Sequence, residues 1–319
     1  MDHDIIGDVH GQAHKLEALL EKLGYRERDG ARRHPSRQAI FVGDFIDRGP
    51  HGVEVVDTVR RMVDAGSAIA VMGNHELNAM AWHTPDAEDP GEYLRPRLRE
   101  PWGVKNRRQH AAFLAQVEDQ PDLHREIVEW FMTLPLWLDL PELRIVHACW
   151  HAPALTWLAP RLREGRFLTP ELLPEATKEP AQAQDEGAMS TFAAVELLTK
   201  GVEAPLPPGH SFKDRDGTER RSVRLRWWDT QASSYRDLAL LPGGGAEHLP
   251  DLPVPAAFRS GRETAKPIFF GHYWMTGEPK PLAAAAACVD YSAGNGGPLV
   301  ACRFEAGASL SAATFTSAG

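Results

Sequence analysis

Five times along this chain a short apolar run ends in a cluster drawn from Gly, Asp, Asn and His. Asp4-Ile5-Ile6 leads into Gly7-Asp8-Val9-His10-Gly11, and Ala39-Ile40-Phe41-Val42 into Gly43-Asp44-Phe45-Ile46-Asp47-Arg48-Gly49. Ala68 to Met72 leads into Gly73-Asn74-His75-Glu76, Leu143 to Val146 into His147, and Pro267 to Phe270 into Gly271-His272. Runs of this length, rich in Ile, Val and Phe, read as buried strands. In open α/β sheets ligands bind outside the carboxyl ends of the strands. Five polar clusters at such ends can converge on one site. Their residue types are those that hold hard or borderline divalent metals.

The segments between the first clusters have helical spacing. Leu16, Leu19, Leu20 and Leu23 mark a helix over Gln12 to Leu23, with Gly24 as its C-terminal cap. Val53, Val56, Val59 and Val63 mark a second, ending near Gly66. The opening 75 residues thus read β-α-β-α-β, which predicts a parallel sheet with right-handed crossovers. Ala79 to Trp102 mixes helix and loop. Arg108 to Gln116 and Asp122 to Leu134 read as helices, with Asp122 as N-cap and Pro135 as the stop. We expect a helical insertion over about 78–135 that covers the sheet edge near the site. Pro174 to Gly187 reads as a connector and Ser190 to Leu198 as a short helix. Asp216-Gly217 signals a tight turn before a strand over Ser222 to Trp228, and Gly243-Gly244-Gly245 a loop. Ala283 to Ala287 reads as strand because Cys288-Val289 follows. The whole of 1–319 is expected to form one domain, with 150–265 a variable cap.

The net charge of −9 argues against a nucleic-acid polymer as partner, since that needs a basic face. Three cysteines, Cys149, Cys288 and Cys302, suit a reducing compartment. The N-terminus shows neither the basic nor the apolar segment of a signal peptide, and no run of about 18 apolar residues predicts a membrane span. The expected location is the cytoplasm.

Phosphoester hydrolysis by metals needs an activated water and neutralised charge at phosphorus, which two ions about 3.5–4 Å apart supply. Asp8 and His10 lie two apart and point the same way on an extended segment, so they are assigned to one metal. Asn74, His147 and His272 are assigned to the other, with the Asp44 carboxylate as bridge. His147 is preferred to His151, and His272 to His210, because a strand leads directly into each. His75 is the candidate general acid, Asp47 its orienting partner, and Arg48 the phosphate clamp. No organic cofactor is expected.

The three N-terminal blocks resemble the GDxHG, GDxxDRG and GNHE motifs of calcineurin-like metallophosphoesterases, and Asp47-Arg48-Gly49 resembles the phosphoprotein-phosphatase branch. That branch includes serine/threonine phosphatases and symmetrical diadenosine tetraphosphatases. The resemblance implies an α/β/β/α four-layer sandwich and a dinuclear centre holding Mn, Fe or Zn, with Mn preferred. A metal-bound hydroxide is then expected to attack phosphorus, and the same roles fall to Asp47, Arg48 and His75. The chain departs from the protein phosphatases at Met72, where they carry an arginine, and at Ala148-Cys149, where the family carries Gly after the histidine. One of the basic residues in the run Lys213, Arg215, Arg220, Arg221, Arg224 and Arg226 is a candidate replacement. The expected activity is phosphomonoester hydrolysis on a phosphorylated small molecule, nucleotide or phosphoprotein. Cleavage of dinucleoside polyphosphates is the second reading, with Trp274 as a wall for a base. A non-catalytic metal-binding module is the third.

Overall fold

The computed structural model describes residues 1–180, 189–213, 219–241, 244–259 and 266–319. Two sheets form the centre. In the first, the strands run in the order Thr314–Ala318, Leu299–Phe304, Asp2–Ile6, Arg37–Phe41 and Ala68–Ala70. The last three are parallel, as the βαβαβ reading expects, and Leu299–Phe304 runs antiparallel to Asp2–Ile6. In the second sheet the order is Ala286–Cys288, Ile268–Phe270, Arg144–Val146 and Trp137–Asp139, with the first three parallel.

The continuous apolar runs are explained by burial on both faces. Register places Ile5 beside Ile40 and Cys302, and these face Ile145, Phe269 and Ala287 of the second sheet in one buried cluster. The alternate residues Ile6, Phe41 and Ala70 belong to the outer core with the helices. Each fully buried aliphatic side chain of this kind contributes about 1.5–3 kcal/mol. Asp4 is also buried, where it accepts hydrogen bonds from Arg37 and Arg303 at 3.0 and 2.9 Å and so ties three strands together.

Helix α1 (Ala13–Leu23) and helix α2 (Gly52–Asp64) pack on the outer face of the first sheet. Gly24, at φ 97°, closes α1 as expected. The buried stripe of α2 is Val55, Val56, Val59 and Met62, rotated from the valine series so that Val53 and Val63 lie at its margin. Helix α3 (Asn74–His83) starts on the site residue itself. Helix α4 (Trp102–Val117) begins six residues before the expected start. Helix α5 (Pro121–Phe131) has Pro121 in its first turn, so Asp122 is not the N-cap but an exposed partner of Arg125.

The expected strand over Ser222 to Trp228 is confined to Ser222–Arg224. The chain then turns, with Trp227 N–H bonded to Leu225 O, and both indoles pack on Phe270 of the second sheet. Ala286–Cys288 is the strand within the ambiguous alanine run. Asp216-Gly217, Arg215 and Gly243 lie outside the described residues, as does the second half of the Pro174 to Gly187 connector, whose first residues instead form the end of a short helix, Leu173–Thr177. No helix among the described residues is long and apolar enough to cross a membrane.

Candidate metal centre

Each parallel strand stops just short of its polar cluster: Ile6 before Asp8, Phe41 before Asp44, Ala70 before Asn74, Val146 before His147 and Phe270 before His272. The two sheets are stitched together at this end. His147 Nδ1–H donates to Val42 O at 2.7 Å, Gly271 N–H to His147 O at 2.8 Å, and His272 N–H to Asp8 Oδ2 at 2.9 Å. The chain must reverse sharply here. His10, Asp44, Asp47, Arg48 and His272 all take left-handed backbone conformations, with φ between 47° and 72°. Such residues cost about 1–3 kcal/mol each and cluster at functional sites. Asp8 and His10 therefore reach the site through a tight loop rather than along an extended strand.

The ring nitrogens are presented in a manner suited to ligation. His10 Nδ1–H donates to Ile46 O at 3.0 Å, which leaves Nε2 as a buried lone pair with no hydrogen-bond partner, 3.6 Å from Asp44 Oδ2. A backbone carbonyl on one imidazole nitrogen that fixes the other as ligand is the usual support of a metal-binding histidine. His147 is oriented the same way by Val42, and its Nε2 faces Asn74 Oδ1 at 3.1 Å and Asp44 Oδ2 at 3.4 Å, both acceptors. His272 Nδ1–H donates to Asn74 Oδ1 at 2.9 Å and leaves its own Nε2 buried without a partner. Asp8 Oδ1 is likewise buried and unpaired. Two compact groups result, His10–Asp44–His75 and Asp44–His147–His272, each with its ligand atoms within 4.8 Å. Asp44 is common to both. Asp8 and Asn74 adjoin them through His272.

Electrostatics give the same picture. Burial, then the carboxylates of Asp290 and Asp44, push the Asp8 carboxyl well up. Burial works against ionised Asp44 too, but His147 and His75 outweigh it and hold Asp44 well below the usual carboxylate range. His147, buried beside Asp44, is raised to about 10 against the penalty of its burial. Orphaned carboxylate oxygen, lone-pair nitrogens and crowded negative charge are all relieved by a divalent cation. The donor set fits divalent metal.

Beside these groups, His75 Nδ1 lies 2.5 Å from Asp47 Oδ2. Arg48 extends over the Trp274 ring at 4.8 Å. Both line an open cleft of about 1020 Å³ with Asp44, Asn74 and His272 at its floor. Arg224 also lines this cleft and pairs with Glu203, whereas Arg226 turns away and donates to Asp237 O. His151 accepts the Ala154 N–H as a helix cap, and His210 is exposed in a loop, so neither is brought to the groups above. Cys149 is fully buried, which raises its thiol and leaves it a core residue.

Three participants carry no role in the sequence reading. Glu76 accepts backbone N–H bonds from Asp44 and Phe45 at 2.8 Å and from Gly73 at 2.9 Å, so it holds the second and third blocks in register. Asp290 accepts from Trp274 and Ser292 N–H and is raised to about 6, mainly by burial. It ends an apolar run, Ala286 to Val289, and so obeys the pattern of the five clusters. His110 Nδ1 lies 2.8 Å from Asp47 Oδ1. Its signal is a polar residue on the apolar stripe of α4.

The family described as calcineurin-like phosphoesterase matches residues 4–169, just over half of the chain. A bis(5'-nucleosyl)-tetraphosphatase PrpE [asymmetrical] of Oceanobacillus iheyensis is 32% identical over 149 residues, which is 46% of this chain and 55% of that protein. The protein of the same name from Halalkalibacterium halodurans is 50% identical over 76 residues, 24% of this chain and 31% of that one. The chain thus spans about half the length of the first of these relatives and a third of the second. A solved serine/threonine phosphatase of Saccharomyces cerevisiae aligns over 100% of this chain and 79% of its own at 13% identity and a TM-score of 0.49.

Proposed function

The chain belongs to the calcineurin-like phosphoesterase family, and from that premise we propose that it is a metal-dependent phosphoester hydrolase acting on phosphomonoesters. One observation carries the reading. A shared carboxylate, Asp44, lies between imidazole nitrogens of two groups, with the His75–Asp47 pair beside it in the same cleft. In this reading Asp8, His10 and Asp44 hold one divalent ion, and Asp44, Asn74, His147 and His272 the other. Bound, the ions supply Lewis acidity at phosphorus and an acidified water. Arg48 grips the phosphoryl oxygens with its guanidinium fork. His75 gives a proton to the leaving oxygen, and Asp47 holds its ring through Nδ1. Manganese is the metal we assign. We treat 1–319 as one domain with a helical insertion over 78–135, and 150–265 as the cap that selects substrate. Three buried, unpaired cysteines accord with a cytoplasmic protein.

A second reading, hydrolysis of dinucleoside polyphosphates, has two supports. The matched relatives carry that activity in their names, there as asymmetrical rather than symmetrical cleavage. Trp274, stacked with Arg48 at the cleft, offers a ring on which a base can lie. Product analysis of Mn-loaded protein separates the readings. Inorganic phosphate from a phosphopeptide and from p-nitrophenyl phosphate, with diadenosine tetraphosphate intact, supports the first. ATP plus AMP from the dinucleotide supports the second with asymmetrical cleavage, and two ADP the symmetrical form. Metal binding without any turnover would leave a binding module.

A further inference from the structure

The Asp47 carboxylate is shared by two histidines on opposite sides. Its Oδ2 faces His75 Nδ1 at 2.5 Å, and its Oδ1 faces His110 Nδ1 at 2.8 Å. All three residues are buried. Burial alone would raise the Asp47 carboxyl, but the bonds to His110 and then His75 hold it well below the usual range. An ionised carboxylate only accepts, so both Nδ1 atoms must carry protons. His110 is thereby held in one tautomer, and its Nε2 is buried with no partner.

The ring has little freedom. His110 lies on the inner stripe of α4 with Asn106, Phe113, Leu114 and Val117, and its ring packs 5.1 Å from Phe113 and 5.9 Å from Trp82 of α3. Asp47 itself sits at φ 67°, in the loop that follows the strand Arg37–Phe41. A helix is a more rigid platform than that loop. We infer that His110 is a positioning residue for the proton donor: by binding Oδ1 it fixes the plane of the Asp47 carboxylate so that Oδ2 stays on His75 Nδ1. It touches no reacting atom. The helical insertion then has a part in the chemistry as well as covering the sheet edge. This inference rests on the proposed role of His75 in protonating the leaving oxygen.

The test uses the full chain with His110→Ala and His110→Asn, since the Asn amide can donate where Nδ1–H does. Manganese content and melting temperature are measured first. Turnover is then compared on p-nitrophenyl phosphate, whose leaving group needs little protonation, and on phenyl phosphate, whose leaving group needs much. The Ala variant should lose at least about tenfold more on phenyl phosphate, with KM little changed and Asn restoring most of the loss. Equal losses on both substrates, or none, would overturn the inference. An independent readout is the ¹H–¹⁵N imidazole spectrum of histidine-labelled protein without metal. The hydrogen-bonded His75 Nδ1–H should shift or broaden in the Ala variant and return in Asn, and an unmoved signal also overturns it. If the wild type turns over neither ester while the His75 signal responds, the enzymatic reading fails and the positioning contact stands.

Discussion

Gly271→Ala is the sharpest perturbation the site offers. The backbone at Gly271 is not left-handed, so alanine is allowed there conformationally. The obstacle is space. A Cβ built on Gly271 lies 1.9 Å from Asp8 Oδ1 and 2.8 Å from Val42 Cγ2. Ordinary contact begins near 3.4 Å, so the Asp8 carboxylate must retreat by about 1.5 Å. That oxygen is the buried, unpaired one assigned to metal, and its sister oxygen holds the His272 N–H at 2.9 Å. Displacing an atom by about 1 Å in such a site costs on the order of 10²-fold in rate. Loss of a supporting contact costs about 10–100-fold in metal affinity. Overpacking should add about 1–3 kcal/mol of destabilisation. We expect weaker manganese binding by calorimetry, turnover down roughly 10²-fold, and a lowered melting temperature. The steric origin is checked by repeating Gly271→Ala in an Asp8→Ala background, where its additional cost should fall to the part owed to Val42. Wild-type metal affinity and turnover in the single variant would refute the placement of Asp8.

Three further outcomes are expected. Asp44→Asn should abolish loading of two metals and turnover together, read by metal analysis and initial rates; retention of both ions would remove its bridging role. Arg224→Ala should raise KM for a phosphoester several-fold with metal content unchanged, whereas Arg226→Ala, outside the cleft, should not; steady-state kinetics on both variants decides. The third concerns pH. Burial, then the neighbouring His75 ring, lowers His10 from 6.5 to about 4. The unfolded chain takes up that proton before the folded one, so stability from neutral His10 is present above pH 6.5 and lost as pH falls toward 4. For metal-free protein the difference amounts to about 3 kcal/mol. Urea melts at pH 7 and pH 4.5 should show this extra acid sensitivity in wild type and its absence in His10→Asn.

The sheet and its clusters were legible because each strand is buried on both faces and each ends in residues with no place in a core. Ile5 and Ile40 face one sheet while Ile6 and Phe41 face helices, so the apolar run is unbroken and its end is abrupt. The argument from spacing was weaker. His10 turns left-handed and joins Asp44 and His75, while Asp8 meets the His272 amide, an arrangement that no periodicity reports. His110 and Glu76 escaped for another reason: their roles exist only between segments. Glu76 matters through the N–H groups of Asp44 and Phe45, some 30 residues earlier, and His110 through Asp47, 63 residues earlier. The strand expected over Ser222 to Trp228 ends at Arg224, since Trp227 and Trp228 suit a strand locally but tertiary packing on Phe270 draws them into a turn. Beyond residue 150 the chain has few strand-end clusters to read, and the cap remained a composition without a plan.

The place of the first strand has a bearing on how the protein is made. Asp2–Ile6 lies in the middle of its sheet, paired on one side with Arg37–Phe41 and on the other with Leu299–Phe304. Asp8 depends likewise on the amide of His272. At about 5–20 residues per second, a ribosome needs roughly 15–60 s to travel from the first strand to its late partner. During that interval the nascent chain holds an open edge of Ile5 and Ile6, and the four early residues assigned to metal, Asp8, His10, Asp44 and Asn74, wait for His147 and His272. In the assignment proposed above, the ion site that includes His272 would be complete only once that residue has joined the chain, long after the first three clusters are in place.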